Sequence, residues 1–271
     1  MRSALAQTRS PEQVIVLCDG CTDGSAEAVR ALADDRVEAH ELPKLPGYGY
    51  DHRNRALEQA RGEAIVYLGD DDLLLPDHLE RLGEYWDTGT LDIVGTPAVL
   101  VHEDDAMTWF GADWSVLPYR RLMQRMNTNV MASVSVRVAL ARQVGGWDGC
   151  LPRMADWDLW TRALDAGARA AMTAEPTVLH FRATGRRQPW PDRVRQNTAW
   201  SERMNEPGRL RELRRELRRV RSARDAELID RSLELERLRE VERELELIHA
   251  GGWWRLRSRL QPLMRLFGRG D

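Results

Sequence analysis

Lysine is almost absent from this chain: Lys44 stands alone against 39 arginines. No Gly-rich loop ending in a lysine occurs, so the phosphate cradle of a P-loop type is missing and nucleotidyl transfer is disfavoured. Cysteine is nearly as scarce, with only Cys18, Cys21 and Cys150. Cys18 and Cys21 form a CxxC, but with one further Cys a four-Cys zinc site is impossible, which leaves a redox dithiol as the minor alternative. So few cysteines fit a reducing cytosol. No apolar run approaches 18 residues and no signal-peptide pattern opens the chain, so a cytoplasmic location without a membrane span is expected. Net charge is also small, at −3 over 271 residues. It hides an asymmetry, because residues 205–271 carry 17 Arg against 13 Asp and Glu, while residues 1–204 are net −7. An acidic body argues against nucleic acid as a partner.

What is present is an alternation of strand and helix signals. "QVIVLCDG" (13–20), "VEAHELP" (37–43), "EAIVYLG" (63–69) and "DIVGTPAVLV" (92–101) read as strands. "DGSAEAVRALADD" (23–35), "HRNRALEQARG" (52–62) and "PDHLERLGEYWD" (76–87) read as helices. This order predicts an α/β fold with a mostly parallel sheet covered by helices on both faces. Ligands of such sheets sit at the carboxyl ends of the strands, where "LCDG" and "LGDDD" both fall.

From residue 205 the composition changes. Apolar residues recur at heptad spacing, break near Arg224–Asp225, and resume in a shifted frame. Residues 205–249 are therefore expected to form a long charged helix, a coiled coil with a stutter that would serve as a homo-oligomer contact. A single helix packed on its own domain is the plainer alternative. The tail at 250–271 places five arginines among Trp, Leu, Met and Phe, a composition suited to peripheral contact with an anionic membrane surface.

The row Asp70, Asp71, Asp72 needs a reason, because packed like charges repel. A helix dipole accounts for one of them. A solvated loop would leave the row unexplained. Hard oxygen donors suit a divalent cation, Mg²⁺ or Mn²⁺, which bridges to phosphates.

Three segments occur in a telling order: "VIVLCDGCTDGSAEAV", "HRNRALEQARGEAIVYLGDDDLLLPDHLERL" and "GGWDGCLPRMADWDLWTRALDAGAR". Together they resemble the inverting family 2 glycosyltransferases of the GT-A fold, over about residues 1–190. The resemblance implies a Rossmann-like domain over 1–204, a nucleotide-diphosphate-sugar donor, a glycan or lipid-linked acceptor, and Mn²⁺ or Mg²⁺. It implies that Asp19 contacts the base or ribose of the nucleotide, with Cys18 and Cys21 as variants within the same turn. Arg53 and Asn54 match a donor-side R-N pair. Asp71 and Asp72 match paired acids, Asp72 being the metal ligand. The family's earlier Asp falls on Gly69, so Asp70 is expected to substitute at a one-residue offset. Asp156 matches the general base, although its usual Glu neighbour is Ala155 here. Asp158 matches an acid that is more often structural. Trp157 is assigned to the acceptor side, and Trp160 and Arg162 to packing or to that same side. His180, after the last core strand, is the further metal ligand.

One departure stands out. The family pattern opens with a strand before the helix that ends in S-x-L-x-Q-T. "SALAQT" (3–8) matches that helix end, and no segment matches the strand. An open slot between neighbouring strands is therefore expected, from either an upstream start or a degenerate member. The competing functional reading is a catalytically inactive scaffold that assembles envelope-glycan enzymes through its C-terminal helix.

Overall fold

The computed structural model describes residues 1–45, 48–111, 113–114, 127–181, 190–204 and 206–220. The chain divides into two compact units, Met1–Glu216 and Leu217–Asp271. The architecture below is that of the first. Of the expected long helix, residues 209–220 are described and helical. Its continuation and the basic tail lie outside the described residues.

The first unit begins with α1 (Arg2–Leu5), β1 (Val14–Asp19), α2 (Ser25–Arg30) and β2 (Val37–Leu42). β1 and β2 pair in parallel, with Val14 opposite Val37 and Asp19 opposite Leu42. Next come α3 (Tyr50–Gln59), β3 (Ala64–Val66), β4 (Asp72–Leu74), α4 (His78–Trp86), β5 (Ile93–Gly95), β6 (Ala98–Val101) and β7 (Met107–Phe110). After these follow β8 (Val134–Arg137), α5 (Val138–Gln143), α6 (Ala155–Asp165), β9 (Ala170–Met172), β10 (Val178–Phe181) and α7 (Trp190–Met204). Two four-stranded sheets run in the orders β3-β8-β5-β9 and β4-β10-β6-β7. Their pairings are mixed: β5–β9 and β6–β10 are parallel, whereas β3–β8, β5–β8, β4–β10 and β6–β7 are antiparallel.

Among the described residues, β1 pairs only with β2, and β3 pairs only with β8. Val14, Ile15, Val16 and Leu17 of β1 and Ile65 and Val66 of β3 are only half-buried. Each of these strands has one edge unpaired among the described residues, and their apolar side chains are less covered than those of β5 and β6.

Two elements differ from expectation for local reasons. "DIVGTPAVLV" forms two strands in different sheets, because Pro97 has no N–H to continue a ladder. At the break the Thr96 N–H donates to the Ser133 carbonyl (2.8 Å), and the Thr96 hydroxyl lies against the Glu175 carbonyl (3.0 Å). The apolar run after the acidic turn, before the helix expected from residue 76, was assigned to no strand. It forms β4, antiparallel to β10, and the helix begins only after Pro76.

α4 buries His78, Leu82 and Trp86 at a spacing of four, which is one helical face. α6 buries Ala155, Leu159, Trp160, Ala163 and Leu164 on a similar stripe, leaving Asp156 and Asp158 off it. The main core gathers Leu57, Tyr67, Ile93, Val136, Trp147, Leu159 and Trp160. A fully covered side chain of this size contributes about 1.5–3 kcal/mol, so this cluster is the rigid floor under the site.

Candidate active site

Asp19 sits at the carboxyl end of β1, and its carboxylate is enclosed by the segment that follows β2. Oδ1 accepts from the Leu45 N–H (2.9 Å), and Oδ2 is 2.6 Å from the Lys44 ammonium. His52 Nε2 lies 3.4 Å from Oδ1 and 2.9 Å from the Pro43 carbonyl. Burial pushes the Asp19 carboxyl up, but Lys44, the Leu45 N–H and His52 together hold it below the usual range.

α3 starts from Gly49, whose φ of 70° is a left-handed conformation open to glycine at little cost. The Arg53 guanidinium lies over the ring of Trp147 (4.9 Å) and near that of Tyr50 (5.6 Å), and it donates to the Tyr48 carbonyl (2.7 Å). Tyr50 and Trp147 are themselves stacked at 5.5 Å. Burial weakens the hold of Arg53 on its proton, while the charges of Asp156 and Asp19 act in the opposite sense. Arg53 therefore stands in the field of both carboxylates.

Asn54 uses both ends of its amide on one residue. Its Nδ2 donates to the Trp147 carbonyl (2.8 Å), and its Oδ1 accepts from the Trp147 N–H (2.7 Å). This bidentate clasp fixes the Trp147 turn against α3. Arg162 braces the same turn from α6: it donates to the Val144 carbonyl and to the Gly146 carbonyl (2.6 Å), and pairs with Asp158 (2.6 Å).

Asp156 lies in the first turn of α6, after Met154, which holds a left-handed φ of 64°. Such a backbone at a non-glycine residue is strained and is commonest near functional sites. Burial raises the affinity of Asp156 for a proton. The Trp157 N–H, its own N–H and the charge of Arg53 oppose this without cancelling it. Trp157 beside it is half-buried and packs against the main core, and Trp160 is fully buried.

In the acidic turn, Asp72 is buried (6% exposed) and lies opposite His180 in the β4–β10 register. His180 Nδ1 is 2.7 Å from Asp72 Oδ1. Gly69 faces the neighbouring carboxylates: a Cβ there would lie 3.0 Å from Asp71 Oδ1 and 3.4 Å from Asp72 Oδ2. The Asp71 carbonyl accepts from Asn197 of α7 (3.1 Å). Asp70 is exposed at the turn. Among the described residues no group of three or more His, Cys, Asp and Glu side chains converges as a metal cage, so Asp70, Asp72 and His180 do not meet as one set. Of the pair that does meet, the buried carboxylate is an oxygen donor of the kind Mg²⁺ and Mn²⁺ both take, whereas the imidazole suits a transition metal such as Mn²⁺ better than Mg²⁺.

Three contributors went unassigned in the sequence. Lys44 was noted only for being alone. Tyr50 and Trp147 were unassigned too, although "GYGY" next to "HRNR" places aromatics beside an arginine.

The mixed sheets flanked by helices, with acids at strand ends and another on a late helix, form an α/β fold of the GT-A type. The chain belongs to glycosyl transferase family 2, whose family model matches residues 1–144. It is 30% identical over 197 residues to the succinoglycan biosynthesis protein ExoO of Rhizobium meliloti, covering 67% of this chain and 56% of that protein. It is 26% identical over 166 residues to chondroitin synthase of Pasteurella multocida, covering 61% of this chain and 17% of the synthase. Its fold is similar to that of S. aureus TarS residues 1–349 in complex with UDP-GlcNAc, with a TM-score of 0.56 and 18% identity over 68% of this chain and 54% of that one. Among the described residues no helix is long and apolar enough to cross a membrane.

Proposed function

We propose that this chain is a metal-dependent inverting glycosyltransferase that moves a sugar from a nucleotide-diphosphate-sugar to a hydroxyl of a glycan or lipid-linked acceptor. The observation that carries the reading is Asp156. It is a carboxylate at a helix start, made more basic by burial and near Arg53, in a chain of this family. A base of that kind accepts the proton of an attacking hydroxyl. Asp19 and Arg53 bind the nucleotide end of the donor, Asp71 assists there, and Asn54 holds the Trp147 turn on which Arg53 rests. Asp72 and His180 hold the divalent ion, with Asp70 at the rim of the turn. When bound, that ion offsets the charge of the departing nucleoside diphosphate. Trp157 borders the acceptor. A single displacement inverts the anomeric centre.

The UDP-GlcNAc complex of TarS makes UDP-sugars the first donors to try. Release of UDP from a UDP-sugar panel with Mn²⁺ is expected for the parent. Its loss is expected in Asp72→Asn and Asp156→Asn. Full turnover in either variant refutes the mechanism. No turnover by the parent, with a folded chain that still forms oligomers, favours the inactive scaffold. Residues 205–249 are assigned to assembly and 250–271 to peripheral membrane contact at the inner face. An unchanged mass by light scattering on a chain ending at residue 205 refutes the assembly role.

A further inference from the structure

The single lysine of the chain lies beside the carboxylate that ends β1. Lys44 Nζ is 2.6 Å from Asp19 Oδ2. The Lys44 side chain is 67% exposed and that of Asp19 only 17%. An exposed amine thus reaches over a shielded acid. The surroundings leave the acid little freedom. Its other oxygen accepts from the Leu45 N–H. A Cβ at Gly49 would come within 3.3 Å of Oδ2, so the start of α3 walls one side. A Cβ at Gly20 would come within 2.6 Å of Lys44 Cβ, so the backbone carrying the lysine is pressed onto the β1 turn. Among the described residues, His52 and Arg53, both from α3, also face Asp19.

We propose that Lys44 is a positioning residue of the donor site, holding the Asp19 carboxylate in place as the acceptor for N–H or O–H groups of the nucleotide. This rests on the reading of the β1 turn as the nucleotide site. The chemistry runs through the charge of the acid. A shielded carboxylate with no cation takes up a proton readily, and a neutral carboxyl offers a poorer acceptor. In Asp19 burial already pushes in that direction, and Lys44 is foremost among the groups that oppose it. Removing the amine leaves the Leu45 N–H, His52 and Arg53 against the same burial. Lysine suits the task because one of its three N–H donors holds the acid and the others remain to meet a ligand oxygen.

The test is calorimetric binding of UDP in the presence of Mn²⁺, from pH 5 to 8, on the full chain and on Lys44→Met and Lys44→Arg. Lys44 is exposed, so neither change threatens folding. Any titration of UDP itself is common to all three proteins. At pH 7.5 Lys44→Met is expected to bind about two- to fivefold more weakly, the range of a solvent-facing ion pair. Lys44→Arg is expected to restore the parental affinity at each pH, because it returns a cation to Asp19 Oδ2. A Lys44→Met profile that superimposes on the parent's overturns the proposal and leaves the donor-site reading standing. Where UDP does not bind, GDP and dTDP take its place, and a parent that binds none of the three overturns that reading and this proposal with it.

Discussion

Replacing Asn54 with alanine tests whether the Trp147 turn is held as described. The side chain makes two hydrogen bonds to the Trp147 backbone, one as donor (2.8 Å) and one as acceptor (2.7 Å). Both are partly buried, so water compensates in part for the lost partners. At about 1 kcal/mol each, their joint loss costs about 2 kcal/mol. Arg162 still holds the carbonyls of Val144 and Gly146, so the turn loosens at Trp147 without detaching. Chemical denaturation followed by tryptophan fluorescence measures the cost directly. For a unit of this size it corresponds to a fall of about 4–8 °C in Tm. Asn54→Asp keeps the acceptor and removes the donor, so it should fall between parent and alanine variant. An alanine variant within about 0.5 kcal/mol of the parent refutes the reasoning, because surface changes without a structural role fall in that range.

The transfer rate should fall on acidification at a pH above the ordinary aspartate range, since burial raises the Asp156 carboxyl and its base form must be present. A rate–pH profile with no such limb contradicts the assignment. His78 is fully buried with Nδ1 2.7 Å from the Thr177 hydroxyl, and burial lowers its pKa to about 3. The unfolded chain then binds the extra proton between about pH 6.5 and that value, so stability should decline as pH falls through this window. His78→Gln should flatten that part of the curve, as read by urea midpoints at stepped pH. Arg214 is 8% exposed and bridges Asp77 (2.6 Å) and Glu175 (2.7 Å). Arg214→Met should cost about 3 kcal/mol, at the low end for a broken buried pair because Arg81 still meets Asp77. The double variant with Asp77→Leu should recover part of that loss, and strict additivity contradicts the pairing.

Much of the site was legible because it lies where strands and helices end. Asp19 and the row Asp70–Asp72 each follow an apolar run, so local pattern marked those two turns, whereas Asp156 and the choice of Asp72 came from the family resemblance. The pairing of Asp72 with His180 spans 108 residues and depends on the β4–β10 register, which no local pattern carries. Asn54 was assigned to substrate from its place beside Arg53, and the structure joins both its polar ends to Trp147, a partner 93 residues away. The break at Thr96–Pro97 had a visible signal in the proline. The apolar run on both sides outweighed it in the reading, and the change of sheet depends on Ser133 and Glu175, which are distant in sequence. Lys44 was unassigned for a related reason: a lone lysine in a loop says nothing until the strand before it is paired with β1.

The most direct test of the central claim is calorimetric titration of UDP, GDP and dTDP with and without Mn²⁺, on this chain and on Asp72→Asn. The account predicts that one nucleotide binds only with the metal and that the substitution abolishes this binding. A folded parent that binds none of them, or a variant that binds as the parent does, contradicts it.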